Sequence, residues 1–315
     1  MKICGKLMHD SQEIEILIPI TEKDVPELLD LLQIMKRPRA SGIKCQIYIS
    51  MDTIVEKVTM DSILDKFKCL PCSAWFNVKF FDCILAESES FYIRGAPTEF
   101  DIDQFPYGSK SGPNIQFFRS LRYLLEDRSR IQGPVLLLET DMTPLNDGWL
   151  DEIEAEISEY GDFLIAGSIY KGNGMLPLFS RRHINGGAVY NLGNIYFEEF
   201  LSSYEELLKL SCPYSYHMGY DVLPSWLEFN LHRFSGEQRI KALNFIGNYN
   251  NSCFRISSIS NYAGQAETHN GNIFDYNVLS DTSLLHLRAK KEVRESWILF
   301  KENLIKGAVS EYTKY

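Results

Sequence analysis

Short, wholly apolar runs recur along this chain, separated by polar turns and by longer stretches in which apolar residues return every three or four positions. Glu13–Ile20 (E-I-E-I-L-I-P-I) alternates and then turns fully apolar, which predicts a strand entering the middle of a sheet. Thr21 or Asp24 then caps a helix that buries Leu28, Leu29, Leu31, Leu32 and Met35. Lys44–Ser50 and Asn77–Leu85 read as further strands, and Val135–Leu138, fed by Gly133 and Pro134, as a strand buried on both faces. Strand and helix in alternation predict an α/β fold with a mostly parallel central sheet and helices on both faces. Trp149–Tyr160 has a helical pattern, Leu150, Ile153 and Ile157 inward and Asp151, Glu152, Glu154 and Glu156 outward as a solvated face. Phe163–Ser168 follows as a strand, Tyr196–Leu210 as a helix, and Ser296–Ile305 as a closing helix on Trp297, Phe300 and Leu304. Arg239–Asp281, rich in Asn, Ser and Gly, has no clear periodicity and is expected to form strands and loops.

Composition narrows the partners. The 315 residues carry a net charge of −10, so no basic face for duplex nucleic acid is expected, although local cations or a metal ion can still hold a diphosphate. No apolar run approaches the roughly 18–20 residues that span a bilayer, and Met1–Lys6 opens no signal peptide. Peripheral membrane contact stays open. Seven scattered cysteines form no disulfide framework, so a reducing, cytoplasmic location is expected. Cys69-Leu-Pro-Cys72 has redox or zinc spacing but no second pair, and ordinary thiols are the simpler reading.

The chemistry concentrates at a few turns. After Leu138 the chain becomes abruptly acidic, Glu139-Thr140-Asp141, at the carboxyl end of a strand, where open α/β sheets collect ligands. Two hard oxygen donors there suit a divalent cation that also holds phosphates, and equally an ordinary solvated turn. Pro19 and Thr21 mark the turn after the first strand, where such sheets accept nucleotides. No Gly-x-Gly-x-x-Gly or P-loop occurs, which argues against a dehydrogenase or P-loop enzyme. A long polar loop, 95–113, ends at Lys110, with Pro113 suited to a first helical turn. Lys110 beside that turn suits a phosphate, or is a solvated lysine. In His183-Ile-Asn-Gly-Gly-Ala-Val-Tyr190, the pair Gly186 and Gly187 after Asn185 marks a tight backbone or a close approach of another molecule. Asp221 stands alone among aromatics in Pro213–Trp226. Desolvation would raise its pKa, as a general base requires, unless it is a buried helix cap. His286, in Leu284–Arg288, reads by itself as a satisfied core histidine with cations such as Lys290 just beyond.

Taken together, L-L-L-E-T-D-M-T-P-L-N-D-G-W-L at 136–150, H-I-N-G-G-A-V-Y at 183–190, G-Y-D-V-L at 219–223 and L-L-H-L-R-A-K at 284–290 resemble a GT-A-type, nucleotide-sugar-dependent glycosyltransferase. The likeness is to the small bacterial and viral transferases that build surface glycans. It implies a Rossmann-type sheet with a C-terminal acceptor-side region, residues 1–170 forming the nucleotide-sugar half and 171–315 the acceptor and catalytic half of one domain. It also implies Mn²⁺ or Mg²⁺ at Glu139, Thr140 and Asp141, with Glu where the family pattern has Asp, and His286 completing the shell. Asn185, Gly186 and Gly187 would meet the donor sugar or acceptor, Lys110 or Lys290 would assist the diphosphate, and Asp221 would be the base of an inverting enzyme. The implied partners are a nucleotide-diphosphate sugar, most simply a UDP-sugar, and a saccharide or glycan hydroxyl. Two rivals are a sugar-1-phosphate nucleotidyltransferase, which needs a glycine-rich basic loop where Pro19–Asp24 stands, and a degenerate carbohydrate-binding domain.

Overall fold

Strand β1 (Glu15–Ile20) explains why the apolar runs are continuous. Ile16 and Ile18 pack into one core while Leu17 packs into another, and all three are fully buried. The same division recurs in β4 (Pro134–Leu137), whose Val135 and Leu137 join Leu17, whereas Leu136 joins the opposite side. A strand covered on both faces has no position left for a polar side chain.

The computed structural model describes residues 13–52, 57–90, 105–126, 133–171, 177–262, 281–286 and 291–306. Gly95–Gln104 of the long loop, Arg288 and Lys290 lie outside the described residues, and the side chain of Leu304 is not described. With β2 (Cys45–Met51), β3 (Phe76–Asp82), β6 (Ile165–Gly167), β7 (Val189–Asn191) and β8 (Cys253–Arg255), the described residues form a seven-stranded sheet in the order β3-β2-β1-β4-β7-β6-β8. Pairing is parallel from β3 through β4 and between β6 and β8, and antiparallel where β7 meets β4 and β6. One face is covered by α1 (Val25–Ile34), α2 (Lys57–Lys68) and α4 (Trp149–Ser158). The other is covered by α3 (Ser111–Glu126), α6 (Phe197–Ser211), α7 (Leu223–Asn230) and α8 (Gly236–Ser252). A short helix, α5 (Leu178–Arg182), leads toward the Asn-Gly-Gly segment. The expected α/β architecture is present.

Two expectations are corrected. The segment Arg239–Asp281, expected to form strands and loops, begins instead with helix α8 as far as Ser252; the strands Cys253–Arg255 and Ile259–Asn261 follow, and residues 263–280 lie outside the described residues. Only Ala242 and Phe245 of that helix are buried, so its apolar stripe is too sparse to print a period on the sequence. The acidic side of α4 is not simply solvated. Glu154 accepts from the Ile14 N–H (2.6 Å) and pairs with buried Arg39 (2.5 Å), and Glu156 accepts from the N–H groups of Ser257 (2.7 Å) and Ser258 (2.9 Å). These carboxylates tie distant loops to the sheet.

A second, three-stranded sheet, β5 (Met142–Pro144), β10 (Leu284–His286) and β9 (Ile259–Asn261), sits beside the first. The closing helix, α9 (Lys291–Ile305), covers it through Trp297 and Ile298, which pack on Leu145 and Leu285. No helix among the described residues is long and apolar enough to cross a membrane.

Candidate active site

Strand directions bring the sequence's scattered motifs to one edge. Parallel β1 and β4 end at that edge, so Glu139, Thr140 and Asp141 leave the sheet there. Because β7 runs antiparallel to β4, it begins where β4 ends, which sets Asn185, Gly186 and Gly187 beside the acidic turn. The third contribution comes from the small sheet. β10 pairs antiparallel with β5, Met142 opposite His286, and this register places the imidazole over the acidic turn.

His286 is buried, and its Nε2 lies 3.1 Å from Asp141 Oδ1 and 3.5 Å from Glu139 Oε2, while both carboxylates keep about a third of their side chains open. One donor atom from each of the three lies within 4.8 Å of the others. Asp141 Oδ1 is buried and accepts no regular hydrogen bond. Two carboxylate oxygens and one imidazole nitrogen converging in this way fit a divalent cation.

The three groups perturb one another. Burial would lower the His286 pKa, but the charges of Glu139 and Asp141 raise it to about 9. Burial pushes Glu139 up to about 7 against the pull of His286, with Asp141 and Asp221 adding to the rise. Burial also pushes Asp141 upward, but His286 and Arg294 outweigh it and hold its carboxyl below the usual range.

Arg294 of α9 clips the turn in place. Its guanidinium donates to the carbonyls of Thr140 (3.0 Å) and Met142 (2.6 Å) and to Thr143 Oγ1 (2.8 Å). The contribution of Thr140 to the corner is thus its carbonyl. Arg294→Ala leaves those acceptors stranded and is expected to cost about 3 kcal/mol, read as a lower urea midpoint with an unchanged slope.

Asp221 occupies a 3-10 turn, Tyr220–Val222, just before α7. The turn is hung from α3: Asn114 accepts from the Tyr220 N–H (2.8 Å) and donates to the Met218 carbonyl (2.9 Å). His183 Nε2 stands 3.3 Å from Asp221 Oδ2. A Cβ on Gly219 would sit 2.6 Å from Asp221 Oδ1 and 3.3 Å from Lys110 Nζ, so the lysine flanks the same carboxylate. The expected rise in the pKa of Asp221 is reversed. Burial does push it up, but the hydrogen bond and charge of His183, together with Lys110, bring it below the usual carboxylate range.

The glycine pair is constrained by close approach. A Cβ on Gly187 would lie 2.5 Å from Met142 Sδ, and one on Gly186 would lie 2.1 Å from the Tyr220 hydroxyl and 3.2 Å from Glu139 Oε1. Asn185 is buried, and its Oδ1 accepts from the Gly187 N–H (2.9 Å), which shapes the turn.

Of the other sequence candidates, Pro19 pairs in register with Ser50 on β2. Its missing N–H falls on the side where β4 has already peeled away, so a central strand tolerates it. The Thr21 N–H and hydroxyl both donate to Asp24 Oδ2 (2.9 Å each), capping the next turn. Cys69 is exposed and Cys72 buried, both as free thiols. The structure thus gathers Glu139, Asp141, His286, Gly186, Lys110 and Asp221. Pro19 and Thr21 lie further along the same edge, at the end of β1. Sequence reasoning missed His183, Tyr220 and Arg294 as neighbours of the site. The first two stand inside quoted motifs, and Arg294 carried no signal beyond a basic residue in a helix.

No protein-family model matches the sequence, and no curated protein matches it. Solved structures do match. The apo structure of the bifunctional glycosyltransferase WbbM aligns over 94% of this chain and 51% of its own, with a TM-score of 0.50 and 9% identity. This chain has the GT-A glycosyltransferase fold. It spans about half the length of WbbM. The galactosyltransferase LgtC, in complex with donor and acceptor sugar analogs, aligns over 91% of this chain and 96% of its own, with a TM-score of 0.46 and 12% identity. Mouse xyloside xylosyltransferase 1, in its apo form, aligns over 87% and 97%, with a TM-score of 0.48 and 10% identity.

Proposed function

We propose that the protein is a metal-dependent glycosyltransferase that moves a sugar from a nucleotide-diphosphate donor, most simply a UDP-sugar, to a hydroxyl of a saccharide or glycan. The observation that carries this reading is the convergence of Glu139, Asp141 and His286 within 4.8 Å at the carboxyl edge of the sheet. His286 is far from Glu139 and Asp141 in sequence, and chain neighbourhood alone does not bring it to the acidic pair.

Glu139, Asp141 and His286 would hold Mn²⁺ or Mg²⁺. A cation bound there would supply positive charge to offset that of a leaving diphosphate. The chain's own residues do the rest. Asp141 and Glu139 face the cleft as a partly open carboxylate pair, anchored from behind by Arg294. Gly186, lacking a side chain, lets the Tyr220 hydroxyl sit beside Glu139. Asp221, ionised and flanked by His183 and Lys110, orients the acceptor hydroxyl and receives its proton if the enzyme inverts configuration. In a retaining enzyme it would bind the acceptor only. Residues 1–170 supply the donor side, and residues 171–315 the acceptor side together with the imidazole.

A thermal-shift screen of UDP-, GDP- and CMP-sugars, each with and without Mn²⁺, tests the assignment. One sugar nucleotide is expected to stabilise the protein only when Mn²⁺ is present. Stabilisation by none of them would remove the donor site. Metal-dependent hydrolysis of the stabilising compound without acceptor separates an active transferase from a domain that only binds sugar.

A further inference from the structure

Tyr220 precedes Asp221 and has no part in the chemistry assigned above. Its ring lies flat on buried Phe117, with centroids 3.8 Å apart and planes 6° apart. Its backbone is fixed at both ends, the N–H donating to Asn114 Oδ1 (2.8 Å) and the carbonyl accepting from the Tyr204 hydroxyl (2.5 Å). The phenol oxygen reaches Gly186, where an added Cβ would lie 2.1 Å from it and 3.2 Å from Glu139 Oε1. The hydroxyl therefore fills the space that a side chain at Gly186 would need, beside the Glu139 carboxylate.

The neighbouring tyrosines use their hydroxyls differently. Tyr190 donates to the Gly186 carbonyl (3.0 Å) and Tyr204 to the Tyr220 carbonyl (2.5 Å). The Tyr220 hydroxyl pairs with no group among the described residues. A hydroxyl that is held this firmly, has no partner among the described residues and is not sealed from solvent is placed to meet a ligand entering the cleft.

We infer that the Tyr220 hydroxyl hydrogen-bonds a hydroxyl of the transferred sugar and helps to select that sugar. This rests on the reading of the cleft as a sugar-nucleotide site. The chemistry favours an alcohol over a phosphate oxygen. A phenol both donates and accepts, as a sugar hydroxyl does. Glu139 flanks the hydroxyl and Asp221 follows in the chain, so an anionic oxygen bound there would meet like charge, whereas a neutral alcohol would not.

The test uses Tyr220→Phe, which keeps the ring on Phe117 and removes only the oxygen. Kd values are measured calorimetrically with Mn²⁺ for the sugar nucleotide that the thermal-shift screen selects, and for the matching nucleoside diphosphate without sugar. The variant is expected to bind the sugar nucleotide about 3- to 10-fold more weakly, with the diphosphate unchanged within about twofold. Equal weakening of both ligands, or of neither, overturns the inference while leaving the site assignment standing. A folded wild-type protein that binds no sugar nucleotide in the panel overturns the site assignment itself, and the inference with it.

Discussion

Asp141→Ala is expected to lower metal-dependent turnover by at least about 10³-fold, because a catalytic cation contributes several kcal/mol of charge stabilisation at a leaving diphosphate. The fold should survive. The Asp141 side chain keeps about a third of its exposure, and the imidazole it faces retains Glu139 as a second acidic neighbour, so little packing is lost. Calorimetric titration with Mn²⁺ should lose its binding heat, while the urea midpoint moves by less than about 1 kcal/mol equivalent. Full turnover in this variant would be fatal to the metal cluster.

The second large effect is expected from Asp221→Asn. The amide keeps the shape of the carboxylate but gives up its charge and its ability to take a proton. Turnover should fall by about 10²- to 10⁴-fold, with donor affinity changed far less. Steady-state kinetics with donor and acceptor varied separately make the distinction. If only donor affinity drops, Asp221 has no role in handling the acceptor proton. The depressed pKa of this carboxyl has a consequence for how the loss arises. Burial works to raise it, yet His183 and Lys110 keep it ionised across the neutral range. Asp221 is thus always available as an anion, at the cost of being a weaker base than an aspartate raised by desolvation alone.

The central sheet was legible because burial on both faces forces its strands to be apolar throughout, as in Ile16–Ile18 and Val135–Leu138. The acidic corner was legible for the opposite reason, since acids directly after such a run leave the sheet at its edge. The partnership with His286 depends on register: Met142 faces His286 across β5 and β10, and nothing in either segment alone specifies that pairing. The His183–Asp221 contact is hidden in the same way, because it depends on how the loop before β7 meets the turn before α7. Helix α8 escaped notice because its exposed side extends almost all round, with Ala242 and Phe245 alone inward. The carboxylates of α4 read as solvated because their partners, the backbone amides of Ile14, Ser257 and Ser258 and the side chain of Arg39, lie far away in sequence and leave no local signature.

Attachment of β10 and α9 to β5 also sets the order in which the centre is completed during synthesis. The seven-stranded sheet, its acidic edge and the glycine pair all lie before residue 262, whereas the imidazole and the guanidinium that steadies the edge come from residues 286 and 294. A nascent chain still threaded in the ribosome up to that point carries two bare carboxylates and no third donor. Capture of the proposed cation would therefore be a late event in biogenesis, reserved for chains in which β10 has docked on β5.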